Sequence, residues 1–298
     1  MPRFLHLQLH LLVALFATTA VLGHLISLSA PALVVCRTAL AAAGGAFVLV
    51  VVLRRGILPP ARQILPLLGI GAIVGLHWMC FFGAIKLANI SICLAGLATI
   101  SFFTAFTEPL FERRRIRPLE VVLGMLVLSG IVLIAGFERG RLAGLLVALC
   151  AALLAAVFPV LNRQLVKQSR LDPLLMVTWE MVGACLICLL ALPVLEGPWS
   201  YGRLLEWQGL DWLWLAILAW VCTVFAHGFH IHLLRHISAY TGNLAINLEP
   251  VYGILAASLM FGEHRRMHPG FFAGTAVILL ANILHPLILR RIAQKKAA

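Results

Sequence analysis

Glu249, Arg37, Glu180, His77 and His227 stand inside stretches of sequence that are otherwise almost wholly apolar. An ionisable group at bilayer depth is costly, so each of these is a candidate for ligand binding or proton transfer, with a plainer reading as a packing pair beside it. Glu249 lies about eleven residues into its stretch, or ~17 Å along a helix rising ~1.5 Å per residue, near the middle of a ~30 Å hydrocarbon core. A carboxyl group there is costly when ionised and alone, and cheap when protonated. It suits an ammonium group or a coupling proton; the plainer reading is a glutamate paired to a neighbouring helix. Pro250 beside it removes a helix hydrogen bond and would free a carbonyl toward a cavity. Arg37 can hold a carboxylate through two N–H donors. It can equally snorkel outward or pair with an acid. Glu180 carries the opposite charge at an approximately corresponding place in the second half of the chain. The two suit a zwitterionic ligand, or neutralise each other.

His77 and His227 stand 150 positions apart, and imidazole exchanges protons near neutral pH. Trp78 beside His77 is a cavity wall or a lipid-facing ring. His227, His230, His232 and His236 crowd the end of one stretch, with His227 and His230 sharing a helix face at i, i+3. A metal site needs more ligands brought together, so this cluster reads first as a polar cytoplasmic mouth. Trp179 and Tyr252 are further candidates for lining a cavity. Asn162, Asn243, Asn247 and Asn282 offer hydrogen bonds to a ligand or between helices. Glu108 lies near Arg113, Arg114 and Arg115, and an interfacial ion pair is its default. Of the seven cysteines, Cys185 and Cys188 have the spacing of a redox or metal pair. They lie in an apolar stretch with no second pair, which favours small apolar filler. No cofactor and no metal is expected.

The elements that position these residues are set by composition. The chain is 62% hydrophobic and 11% charged, against about 25% charged in soluble domains. Apolar stretches fall at 7–26, 31–53, 64–86, 90–111, 119–136, 141–161, 173–195, 212–234, 238–261 and 268–289. Long apolar runs read as helices, because backbone groups in lipid must pair internally. The fold class expected is therefore all-α integral membrane, with ten spans. The first stretch follows Arg3 as a signal peptide would, but it is long enough to span and reads as a retained helix. The net charge of +12 comes from basic residues set singly or in short groups between the stretches, the pattern of loops facing anionic lipid. It does not form the basic domain that nucleic acid would need. With the N-terminus inside, 16 of the 23 Lys and Arg fall in inner segments and 6 in outer ones. The positive-inside rule then places both termini in the cytoplasm. Trp199, Tyr201 and Trp207 read as an interfacial aromatic belt.

The halves 1–140 and 141–298 echo each other. Leu11-Leu12-Val13-Ala14-Leu15 recurs as Leu145-Leu146-Val147-Ala148-Leu149, and Phe111-Glu112-Arg113-Arg114 as Gly262-Glu263-His264-Arg265-Arg266. Five helices per half make the halves oppositely oriented, which also accounts for Arg265 and Arg266 falling outside. Inverted repeats of this kind build many secondary transporters, with the site near the midplane between them.

On these residues the chain resembles the drug/metabolite transporter superfamily, in its EamA group. The resemblance rests on Cys36-Arg37-Thr38, on Leu76 to Lys86, on Phe103 to Phe111, and on Asn247-Leu248-Glu249-Pro250-Val251-Tyr252-Gly253 leading to Phe261-Gly262-Glu263. It implies a ten-helix basket around a central cavity and export of amino acids or related metabolites from a bacterial inner membrane. The stretch around Thr99 to Ser101 lacks the proline that Glu249-Pro250 has in the ninth span. The expected partners are a small-molecule substrate and the lipid bilayer, with the chain a monomer or weak homodimer. A passive facilitator and a histidine-dependent membrane enzyme are the alternatives. No nucleotide-binding glycine loop is present, so ATP does not drive the chain directly.

Overall fold

The computed structural model describes residues 3–297 apart from 114, 117, 170, 239–241, 243, 244 and 247, with the side chains of 3–6, 120, 282, 285, 286 and 289–297 also outside the description. The described elements are helical. They are α1 (Arg3–Leu25), α2 (Ala30–Phe47), α3 (Ala61–Leu87), α4 (Ile90–Leu97), α5 (Ile100–Glu112), α6 (Pro118–Phe137), α7 (Leu142–Ser169), α8 (Pro173–Glu196), α9 (Asp211–Ala219), α10 (Ala226–Leu233), α11 (Glu249–Phe261) and α12 (Pro269–Ala297). A π-helical turn, Val48–Val52, extends α2, and another, Trp220–Phe225, joins α9 to α10.

Seven of the described helical stretches are long and apolar enough to cross a membrane: Leu7–Leu25, Ala30–Val52, Ala61–Leu87, Ile90–Glu112, Arg139–Ser169, Pro173–Glu196 and Asp211–Leu233. Val121–Phe137, Glu249–Phe261 and Pro269–Ala281 are shorter apolar helices. Leu110, Val122, Leu190, Val194 and Leu259 point outward, as side chains solvated by lipid would.

Helix α3 packs against α7 and α8, α2 against α8, and α6 against α12. Lipid tails are as apolar as leucine, so close packing of small residues holds such pairs together. A Cβ at Gly71 would collide with the Glu180 carbonyl, and one at Gly183 with the Leu68 carbonyl, so α3 and α8 touch backbone to backbone. Gly130 and Gly274 do the same for α6 and α12. A Cβ on either would stand 2.7 or 2.6 Å from the other's carbonyl oxygen.

Three stretches read from sequence as continuous helices are interrupted. The 90–111 stretch breaks at Ala98 and Thr99, although it has no proline there. Thr99 supplies the reason: its hydroxyl donates to the Gly96 carbonyl at 2.7 Å and competes with the helical ladder. In the 238–261 stretch, α11 starts only at Glu249, with Leu248 as its N-cap. Pro250 therefore stands in the first turn of a helix, where its missing N–H costs nothing, and not inside a continuous one. In the 212–234 stretch, the π turn adds a residue and rotates everything after it by about 100° relative to an unbroken helix.

Candidate functional site

The interruptions converge on one cavity of about 60 Å³ inside the bundle. Its polar lining comes from Thr19 of α1, Arg37 of α2, His77 of α3, His227 and His230 of α10, and Glu249 at the start of α11. Phe16, Trp78, Phe81 and Phe158 form apolar walls, and Leu97 and Ile100 flank the break between α4 and α5. This volume has room for a few waters, not for a metabolite, so a substrate needs the bundle to open. A larger apolar groove runs along α2, α8 and α10 past Phe47, Trp220, Phe225 and Phe229. It is open and mostly apolar, as a lipid-facing surface is, and the convergent charged groups are in the smaller cavity.

Arg37 is 1% exposed and does not snorkel. Its Nε donates to the Thr223 hydroxyl at 2.8 Å, and its guanidinium carbon lies 3.6 Å from the centroid of the Trp78 ring. Thr223 sits in the π turn and donates in turn to the Leu218 carbonyl, five residues back. The Arg37 Nη1 has no hydrogen-bond partner, and no carboxylate is within ion-pair distance of Arg37 among the described residues.

Glu180 faces His227. The His227 Nε2 lies 2.9 Å from the Glu180 Oε2, which also accepts from the Asn162 Nδ2 at 3.3 Å. Glu180 is fully buried and Asn162 is 1% exposed. So the opposite charge of Glu180 is taken up by a histidine, and Arg37 keeps no acidic partner. His77 donates its Nδ1 proton to the Ala151 carbonyl at 2.9 Å, which leaves Nε2 for the cavity side. Glu249 is buried and makes no hydrogen bond or ion pair among the described residues. Its place at the N-terminus of α11 puts the aligned backbone dipoles against its carboxylate, which partly offsets the cost of the charge.

Of the residues singled out by sequence, Arg37, His77, Trp78, His227 and Glu249 border the cavity, and Glu180 stands behind His227. Trp179 lies elsewhere: its indole donates to the Ile57 carbonyl at 2.7 Å and ties α8 to the loop after α2. Tyr252 is 40% exposed, its hydroxyl 3.3 Å from the His10 Nδ1 on α1. Asn247 lies outside the described residues, as do Asn243 and the side chain of Asn282. His230, read from sequence as part of a cytoplasmic mouth, is 2% exposed and lines the cavity. The Glu180–His227–Asn162 cluster was not legible as a unit, because it joins three helices that no short spacing links. Among the described residues no three His, Cys, Asp or Glu side chains gather as a metal site would need.

Polar contacts close both ends of the bundle. At one end Asp211 accepts from the Ser27 backbone N–H and hydroxyl, and the Lys86 ammonium donates to the Ile26 carbonyl. There Glu263 accepts from the N–H groups of Ile90 and Ser91 at 3.1 and 2.9 Å and from the Ser91 hydroxyl at 2.6 Å. At the other end Arg163 pairs with Glu112 and donates to the Ile237 carbonyl at 3.0 Å. The cavity is thus shut from both sides.

A solved crystal structure superposes on this chain with a TM-score of 0.66, covering 97% of each chain at 17% sequence identity, which establishes a shared fold. No curated protein matches the sequence. Residues 142–285 match the EamA-like transporter family, a family of membrane transporters of small molecules. With its apolar helices and charged central cavity, the chain belongs, through residues 142–285, to the EamA-like transporters of the drug/metabolite transporter superfamily.

Proposed function

We propose that the protein is a secondary transporter that exports a small zwitterion, an amino acid or a close analogue, across a bacterial inner membrane by alternating access. The observation that carries this reading is one sealed cavity holding a cation and a carboxylate, Arg37 and Glu249, neither with an ion-pair partner among the described residues. A buried charge without a partner is expensive, and a ligand that brings the missing counter-charges would compensate both. The apolar walls suit a hydrocarbon side chain, with a few polar groups fixing orientation, as in most small-molecule sites. Glu249 is the coupling group on this reading: the substrate ammonium displaces its proton, and the proton returns when the substrate leaves.

The same reading has ten crossings in two inverted halves, 1–140 and 141–298, with both termini in the cytoplasm. Features that recur at an offset of 150 support it: His77 and His227 in the cavity wall, and helix breaks at Ala98–Thr99 and Leu248–Glu249. Half-helices that end at a midplane site are a common arrangement in transporters built from repeats.

Counterflow tests the function. Proteoliposomes loaded with an unlabelled amino acid should accumulate the labelled one transiently, without ATP. A complete set of proteinogenic amino acids with no counterflow above that of empty liposomes would refute the substrate class.

A further inference from the structure

Two buried side-chain nitrogens have no hydrogen-bond partner among the described residues, the Arg37 Nη1 and the His230 Nε2. The other atoms in that condition are oxygens. Both nitrogens belong to residues that line the same cavity. Buried polar groups are nearly always hydrogen-bonded, so two orphan nitrogens on one small cavity point to a ligand with acceptor atoms. Arg37 can only donate. A guanidinium held by Thr223 and stacked on Trp78 is fixed in place, and its free Nη1 can serve only an acceptor. His230 is fixed too: its ring packs edge-on against Phe16 with centroids 6.0 Å apart, and it lies 6.5 Å from the His227 ring. In a cavity of about 60 Å³, two wall groups reach the same small ligand group.

We infer that His230 is a specificity-determining residue that donates its Nε2 proton to one oxygen of the substrate carboxylate while the Arg37 Nη1 donates to the other. A carboxylate offers two acceptors to these two donors. A carboxamide offers one acceptor, and its NH2 group would face a donor. The pair therefore selects carboxylates over amides of the same shape, and His230 supplies the half of that selection that charge alone does not. The inference rests on the zwitterion reading above and adds to it a residue and a chemical basis for choice.

The experiment measures binding of proteinogenic L-amino acids and their carboxamides to purified wild type, His230→Phe and His230→Gln. Phenylalanine keeps the flat ring and removes the donor; glutamine returns one. Wild type should prefer the carboxylate. His230→Phe should lose about tenfold or more of that preference, and His230→Gln should recover part of it. Should phenylalanine disturb folding, His230→Leu gives the same readout. If wild type shows no preference for any carboxylate over its amide, the substrate class fails and this role fails with it. If wild type discriminates and the donor-free variants do so equally well, the zwitterion reading stands and the role of His230 is refuted.

Discussion

Arg37→Met is expected to abolish substrate binding while leaving the fold at least as stable as the wild type. The two effects separate because Arg37 is buried with only Thr223 and the Trp78 face for partners. Taking a guanidinium out of water costs several kcal/mol that one hydroxyl and one ring do not fully return. Methionine fills much of the same volume without that cost, and buried ionic groups replaced by apolar ones are often neutral or stabilising. Binding moves the other way. A hydrogen bond to a charged group is worth about 1.5–3 kcal/mol, so losing the carboxylate's main partner should weaken binding roughly 10- to 100-fold or more. Thermal unfolding in detergent and ligand-induced stabilisation measure the two quantities on one sample. A variant that unfolds at lower temperature and still binds normally would make Arg37 a structural residue.

His227→Leu should do the opposite and damage the fold. It leaves Glu180 in a fully buried position with only Asn162 to meet its carboxylate. Removing one partner of a buried charged pair costs about 3–5 kcal/mol. The double variant His227→Leu/Glu180→Leu removes the stranded group as well and should recover most of the loss. Unfolding of the wild type, both single variants and the double variant completes the cycle. Additive single effects would mean that the 2.9 Å contact carries no coupling.

The helical plan was legible in the sequence because lipid forces backbone pairing within a segment, so length and apolarity alone mark helices. Arg37, His77, His227 and Glu249 were legible as candidates for the same reason: each is a costly residue in an apolar stretch. What sequence could not give was the direction each side chain takes. Trp179 neighbours Glu180, yet on a helix the next residue turns about 100° away, and its indole binds the Ile57 carbonyl instead of the cavity. His230 was assigned to a mouth on the geometry of an unbroken α-helix, and the π turn at Trp220–Phe225 changes which face points inward. The break at Thr99 carried no proline to mark it. It arises from a hydroxyl-to-carbonyl bond of a kind threonine also makes inside unbroken helices, as Thr104 does with the Ile100 carbonyl at 2.8 Å. Glu249 was read as mid-helix, and its place at the N-terminus of α11 became visible only with the structure.

That position is the centre of the account. Glu249 is the buried carboxylate of the cavity wall, without a partner among the described residues, and the proposed exchange of proton for substrate runs through it. Glu249→Gln keeps the shape and the hydrogen-bonding capacity of the side chain and removes its ability to gain or lose a proton. The most direct measurement is amino-acid flux through reconstituted wild type and Glu249→Gln, with and without an imposed pH gradient. Wild-type flux should follow the gradient, while Glu249→Gln should still fold, transport more weakly and ignore it. Equal responses to the gradient in the two proteins would contradict the account and remove Glu249 from the coupling step.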